Sequence, residues 1–148
     1  MNKFIKGTLK FLLQILAVTA IVMAFDIGMR GMYLIGVPKP EKLERVTVSY
    51  PAVTEEEKVL TDPEQMELAV KLTGFLRYAP FQRADGSGEP LIALTYETGD
   101  GKTVQVRANR TTVWWKGSAY ALKDDETFVN LTEGIFFLDD LQKQSADR

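Results

Sequence analysis

This chain of 148 residues contains neither cysteine nor histidine. Without cysteine there is no disulfide, no thiol nucleophile, no thiolate metal site and no residue to carry a lipoprotein anchor. Without histidine the commonest general base and the commonest metal ligand are lost together. Ser-His-Asp and Cys-His chemistry are thereby excluded, and a tetrahedral zinc site loses its usual ligands. Positive charge is also scarce beyond the first third of the chain. Residues 1–45 hold seven Lys/Arg against three Asp/Glu, whereas residues 46–148 hold eleven against seventeen. An acidic body of this kind repels a phosphate backbone, so no nucleic acid is expected as a partner.

What the chain does have is one long apolar run. Lys3, Lys6 and Lys10 precede Phe11–Phe25, which is 15 residues without a charge. As a helix that run covers about 22 Å, short of the ~30 Å hydrocarbon core of a bilayer. It reaches further if Phe4, Ile5 and Leu9 join it while Lys6 and Lys10 snorkel to the headgroups. On the other side it meets Asp26 and Arg30, spaced i, i+4 with the acid first, the favourable order for an interfacial helical ion pair. Met29, Met32, Tyr33, Leu34 and Ile35 follow as a half-immersed last turn. Gly36 and Pro38-Lys39-Pro40 then stop the helix. The expected organisation is a transmembrane anchor over 1–36, a Pro-containing spacer over 37–44, an extracytoplasmic domain over 45–141 and a disordered tail over 142–148. The three leading lysines place the N-terminus in the cytoplasm and the domain outside. The rival is a cleaved signal peptide, since Val18-Thr19-Ala20 and Val22-Met23-Ala24 both resemble cleavage sites. Ala20, Ala24 and Gly28 lie four apart on one helical face, a spacing that permits homodimerisation or docking of a second membrane helix and that also arises by chance in an Ala-rich segment.

The domain opens with Arg45–Tyr50, which alternates as a half-buried strand, and Lys58–Leu60 is a second short strand. Asp62 as N-cap, Pro63 in the first helical position and Glu64 and Glu67 in the first turn start a helix. Its apolar set is Met66, Ala69, Val70, Thr73 and Leu76, joined by Leu68, Leu72 and Phe75, and it is expected to end near Tyr78-Ala79-Pro80. Residues 82–90 read as a polar loop. Leu91–Thr98 and Lys102–Ala108 flank the hairpin turn Gly99-Asp100-Gly101. Arg110–Trp115 and Ala119–Lys123 flank a second turn at Lys116-Gly117-Ser118. Glu126–Leu138 is the last helix. The fold class is therefore α+β, in the order ββαββββα, an antiparallel sheet with its helices packed on one face.

Each chemical motif has a plainer alternative. Gly101-Lys102-Thr103 ends like a phosphate loop, but Tyr96 stands where that motif needs glycine and the context is a hairpin, so no nucleotide is expected. Asp85, Ser87 and Glu89 alternate as calcium ligands do, yet lack the remaining positions of a calcium loop, and no metal is expected. Glu55–Glu57, Asp124–Glu126 and Asp139-Asp140 supply carboxylate pairs, but glycoside hydrolysis needs one of them in a deep cleft, and a domain this small has little depth. Asn109-Arg110-Thr111 and Asn130-Leu131-Thr132 match a glycosylation pattern too short to weigh. Trp114-Trp115 carries more. Neighbours on a strand face opposite ways, so one indole belongs to the core and the other to the uncovered side. With Arg107, Arg110 and Lys116 near in sequence, an exposed indole at Trp114 or Trp115 suits a partner-binding hot spot or a headgroup contact, the plainer alternative being a packed or partly shielded ring.

Leu60-Thr61-Asp62-Pro63-Glu64-Gln65 opening a helix, Tyr96 ahead of the Gly99–Lys102 turn, and Gly117–Leu122 before the last helix give the segment 45–141 a family likeness. It resembles small extracytoplasmic domains of unknown function found in Gram-positive bacteria behind one membrane helix or a lipoprotein signal. The resemblance implies no catalytic residue and no cofactor. The expected function is thus a single-pass, membrane-anchored, non-enzymatic binding module whose partners are the lipid bilayer and another envelope or membrane protein. The alternative is a secreted inhibitor or ligand-binding domain released by signal peptidase.

Overall fold

The structure, a computed structural model, describes residues 2–84, 88–124 and 126–148. Helix α1 runs from Lys3 to Arg30, and none of its 28 residues is buried. It is long and apolar enough to cross a membrane. The last backbone bond of its end runs from Gly31 N to Ile27 O at 2.8 Å. Gly31 has φ 79°, and a Cβ there would lie 2.9 Å from the Tyr78 carbonyl oxygen, so the chain turns off α1 at a point where only glycine fits.

The body is one seven-stranded antiparallel sheet in the order β2-β1-β4-β5-β6-β7-β3. Its strands are β1 (Leu43–Ser49), β2 (Lys58–Leu60), β3 (Tyr78–Arg83), β4 (Ile92–Thr98), β5 (Thr103–Ala108), β6 (Thr112–Trp115) and β7 (Ser118–Leu122). Helices α2 (Pro63–Thr73) and α3 (Thr127–Phe136) pack on one face, and α4 (Leu138–Ala146) follows α3. Alternation puts Val46, Val48, Ile92, Leu94, Tyr96, Val106, Val113 and Trp115 on the covered face, where Met66, Ala69, Leu72, Phe128, Val129 and Phe137 meet them. Each buried aliphatic side chain contributes roughly 1.5–3 kcal/mol. Tyr96 is fully buried, and its hydroxyl donates to the Ala69 carbonyl of α2 at 2.8 Å. That bond leaves no polar atom of Tyr96 unsatisfied and fixes α2 over the centre of the sheet.

Local signals explain most boundaries. The Asp62 carboxylate accepts from Gln65 N at 3.2 Å, with Pro63 opening α2. The β6–β7 turn has positive φ at both central residues, Lys116 at 48° and Gly117 at 78°, the twist that a two-residue hairpin requires.

The element order differs from the expected one in three places. First, α2 stops at Thr73, and Tyr78–Arg83, expected as helix end and loop, forms the edge strand β3. Gly74 ends the helix, and the residue ahead of Pro80 is driven to extended backbone. Tyr78 exchanges both backbone bonds with Met32, at 2.8 and 3.0 Å. Two residues on, Pro80 occupies the next outward position, where no N–H is needed. Second, 142–148 is not a free tail. Chain geometry breaks at Phe137, and α4 continues to Ala146 with Asp139 and Asp140 in its first turn, as the helix dipole favours. The Gln144 amide donates to Ala52 O at 3.2 Å, and Lys58 pairs with Asp140 at 2.8 Å. Third, the spacer is part of the body. Val37 and Leu43 of the spacer join the core, and so does Leu34, expected in the last turn of an anchor helix that in fact ends at Arg30. A short 3-10 turn at Pro40–Lys42 leads into β1, and Gly99 N donates to Lys42 O at 3.1 Å. Residues 31–42 thus close the end of the core next to α1.

Candidate functional site

The tryptophan pair divides as the alternation of a strand demands. Trp115 is 4% exposed and belongs to the core. Trp114 is half-buried on the opposite, uncovered face. Strand β5 places Arg107 directly across from it, and Trp114 in turn faces Ala119 on β7. Around them this face carries short or polar side chains: Thr47, Ser49, Ala93, Thr95 and Gln105. Toward β1 and β4 it is closed by Arg45 and Glu97, whose paired geometry includes an Nη2 to Oε1 bond of 2.8 Å. The guanidinium holds the Glu97 carboxyl below its ordinary range, chiefly through that hydrogen bond.

Arg110 is elsewhere. Its guanidinium donates to Asn130 Oδ1 on α3 at 3.0 Å and lies 3.7 Å from Glu133 Oε1. The same Glu133 oxygen accepts from the Tyr50 hydroxyl at 2.8 Å. This network ties α3 to the far end of the sheet. Burial, and then the bond to Glu133, push the Tyr50 hydroxyl up to about 12. Of the four residues expected at the partner surface, the fold brings together Trp114 and Arg107. Trp115 is core, and Arg110 fastens a helix.

On α1, Ala20, Ala24 and Gly28 remain exposed along one face. Asp26 and Arg30 form their helical ion pair at 3.2 Å. The Gly28 carbonyl accepts from Lys123 Nζ at 2.9 Å, which satisfies one of the open oxygens at the helix end and favours it electrostatically.

That contact belongs to a site with no local signature in sequence. Where α1 leaves the body, an open cleft of about 740 Å³ is lined by Met29, Arg30, Tyr33, Lys71, Gly74, Phe75, Arg77, Lys123 and Asp124. The Arg77 guanidinium lies 4.6 Å from the centre of the Tyr33 ring and donates to its hydroxyl. The Asp124 carboxylate is turned away to Thr127, accepting from its hydroxyl at 2.6 Å and from its backbone N–H at 3.2 Å. These bonds hold it below its ordinary range, the Thr127 hydroxyl having the largest effect. Three separate segments, 29–33, 71–77 and 123–124, supply the lining, so the sequence named Met29, Arg30, Tyr33 and Asp124 without bringing them into one site.

Asp85, Ser87 and Asp125 lie outside the described residues. Among the described residues no three His, Cys, Asp or Glu side chains converge as metal ligands would. No protein-family model, no curated protein and no solved structure matches this chain.

Proposed function

We propose that this chain is a single-pass membrane protein whose α+β domain lies outside the cell and binds another envelope or membrane protein without catalysing a reaction. The observation that carries the reading is α1, a 28-residue apolar helix with no buried residue, continuous with a chain that is hydrogen-bonded into the body. Leaving that helix in water would expose Phe11, Leu12, Leu13, Leu16, Ile21 and Phe25, each at least 56% accessible. The three leading lysines support a cytoplasmic N-terminus. Trp114 beside Arg107 supports the partner surface, because an amphipathic indole and a guanidinium are the side chains most often found at the energetic centre of an interface.

The experiment has two readings. Membrane fractions should contain the unprocessed chain with its N-terminus intact. A photoreactive phenylalanine analogue at position 114 should give one discrete protein adduct in intact cells, lost on Arg107→Glu. The same probe at Leu68 on α2 should not give that adduct. Equal labelling from both positions would overturn the proposed surface.

One observation favours the secreted alternative. Residues 2–26 are all exposed, so the body does not depend on them. A chain starting at Phe25 or Ile21 in the medium would establish that reading and overturn the anchored one.

A further inference from the structure

We propose that the cleft at the exit of α1 holds the phosphate of an anionic membrane lipid from the leaflet on which the domain rests. This inference rests on the anchored reading and is independent of which side of the membrane the domain faces.

Height is the first argument. The 28 residues of α1 span about 42 Å, against ~40–45 Å for a bilayer with both headgroup layers. With Lys3 and Lys6 in one headgroup layer, Arg30 arrives in the other. Met29, Arg30 and Tyr33 are walls of the cleft, so its mouth is level with lipid phosphates.

Charge is the second. Beyond residue 45 the chain has eleven Lys/Arg against seventeen Asp/Glu, yet the described lining carries Arg30, Lys71, Arg77 and Lys123 against Asp124 alone. Two helices, α1 and α2, end at this cleft, and each C-terminus is worth about half a negative charge. Arg30 is paired with Asp26 and Lys71 with Glu67, so the charge turned toward an anion is chiefly that of Arg77 and Lys123, which are held by the neutral oxygens of Tyr33 and Gly28. The cations continue along the same end of the body: Lys42 lies at the β4–β5 turn, and Lys116 lies against Gly36. Of the acidic runs, Asp139-Asp140 sits elsewhere, with Asp140 paired to Lys58 beside α4, and the run at 124–126 reaches the cleft through Asp124, whose carboxylate is turned to Thr127.

The lining also distinguishes a lipid from a free anion. Phe75 and Met29 open into the cleft 44% and 67% exposed. A dissolved phosphate gains nothing from them, whereas the glycerol and upper acyl region of a lipid would cover both. Tyr33 supplies the amphipathic ring typical of that depth. The stack of Arg77 on Tyr33 and the bond from Lys123 to Gly28 O hold two of the cations in place before a ligand arrives, which lowers the ordering cost of binding.

The test uses the full-length protein in nanodiscs of phosphatidylcholine mixed with phosphatidylglycerol, with retained lipids counted by native mass spectrometry. The wild-type chain should keep one phosphatidylglycerol in preference to phosphatidylcholine. Lys71→Gln, at a surface position paired with Glu67 at 3.0 Å, should weaken that preference about fivefold without lowering the melting temperature. Adding Arg77→Gln and Lys123→Gln should abolish it, and Lys143→Gln on α4 should not change it. A preference untouched by Lys71→Gln or by the triple variant would overturn the site. Complete release of the lipid by inorganic phosphate would also overturn the lipid reading in favour of a free-anion site. Release only by an acidic peptide would assign the cleft to a protein. If the chain fails to enter the discs, the anchored reading falls, and that result is visible before any lipid preference is measured.

Discussion

The two faces of the sheet share every strand and every ladder hydrogen bond, yet they have opposite physical characters. On the covered face Val46, Val48, Leu94, Tyr96, Val106 and Val113 are at most 1% exposed and form one core with residues of the helices. On the other face Thr47, Ser49, Thr95, Gln105, Arg107 and Trp114 all keep contact with water. The difference is set by parity alone, since consecutive side chains on a strand point to opposite sides. Trp114 and Trp115 make the contrast sharpest. Adjacent in sequence and identical in chemistry, they are assigned by one step of the strand to a surface and to a core. A polar face on an antiparallel sheet is ordinary. A half-buried indole opposite an arginine on that face is the departure on which the proposed partner surface rests.

The most severe way to break the comparison is to empty the covered face. Trp115→Ala should cost about 3–5 kcal/mol, because it removes a large buried ring and leaves a cavity in the core near Gly36. Urea unfolding of the full-length protein in detergent measures this directly. A loss below about 1 kcal/mol would mean that Trp115 does not close the core at the α1 end.

A second and smaller effect comes from the edge of that core. The Tyr50 hydroxyl is held neutral up to about 12, while an unfolded tyrosine ionises near 10. Below pH 10 the phenol is neutral in both states and its contribution is fully present. As pH rises from 10 through about 12 the unfolded chain loses the proton first, so stability falls. Burial raises Tyr96 and Tyr78 in the same direction. Tyr50→Phe should therefore flatten part of the alkaline loss, by up to about 2 kcal/mol, and leave the acid side unchanged. A stability curve over pH 8–12 that is identical in the variant would show that Tyr50 ionises freely.

Much of this architecture could be read along the chain, and the failures have physical reasons. The strands of the two hairpins, the cap at Asp62 and the apolar run of α1 are signalled by residues close in sequence, through alternation, turn residues and periodicity. Strand β3 was hidden because its pairing depends on Met32 and on β7, both distant, while its own Ala79-Pro80 discourages a strand. Phe81, 96% exposed on that edge, gave no hint of its position. The helix at 138–146 draws on Lys58 and Ala52, again from far along the chain. Residues 37–44 looked like a linker because prolines suit linkers, but Val37 and Leu43 supply the apolar surface that fills the end of the core. The cleft is the extreme case: Arg30, Lys71, Arg77 and Lys123 come from three stretches far apart along the chain, and no motif links them.

The smallest expected change in stability sharpens the comparison furthest. Trp114→Ala removes a ring of the same size as Trp115→Ala, from the adjacent position, in the same strand. On the uncovered face the ring has water on one side and Arg107 and Ala119 as its cross-strand neighbours. Its deletion leaves no closed cavity and no orphaned hydrogen bond, so the loss should stay within about 1 kcal/mol, as for other substitutions outside the core. Equal losses from the two variants would mean that both faces are covered, with no free sheet surface left for a partner. A small loss at Trp114, together with disappearance of the adduct formed by the same photoreactive analogue placed at Gln105 on that face, would separate packing from recognition at neighbouring residues. If that adduct persists while stability is unchanged, Trp114 is an indifferent surface residue and the partner surface has to be sought elsewhere on the domain.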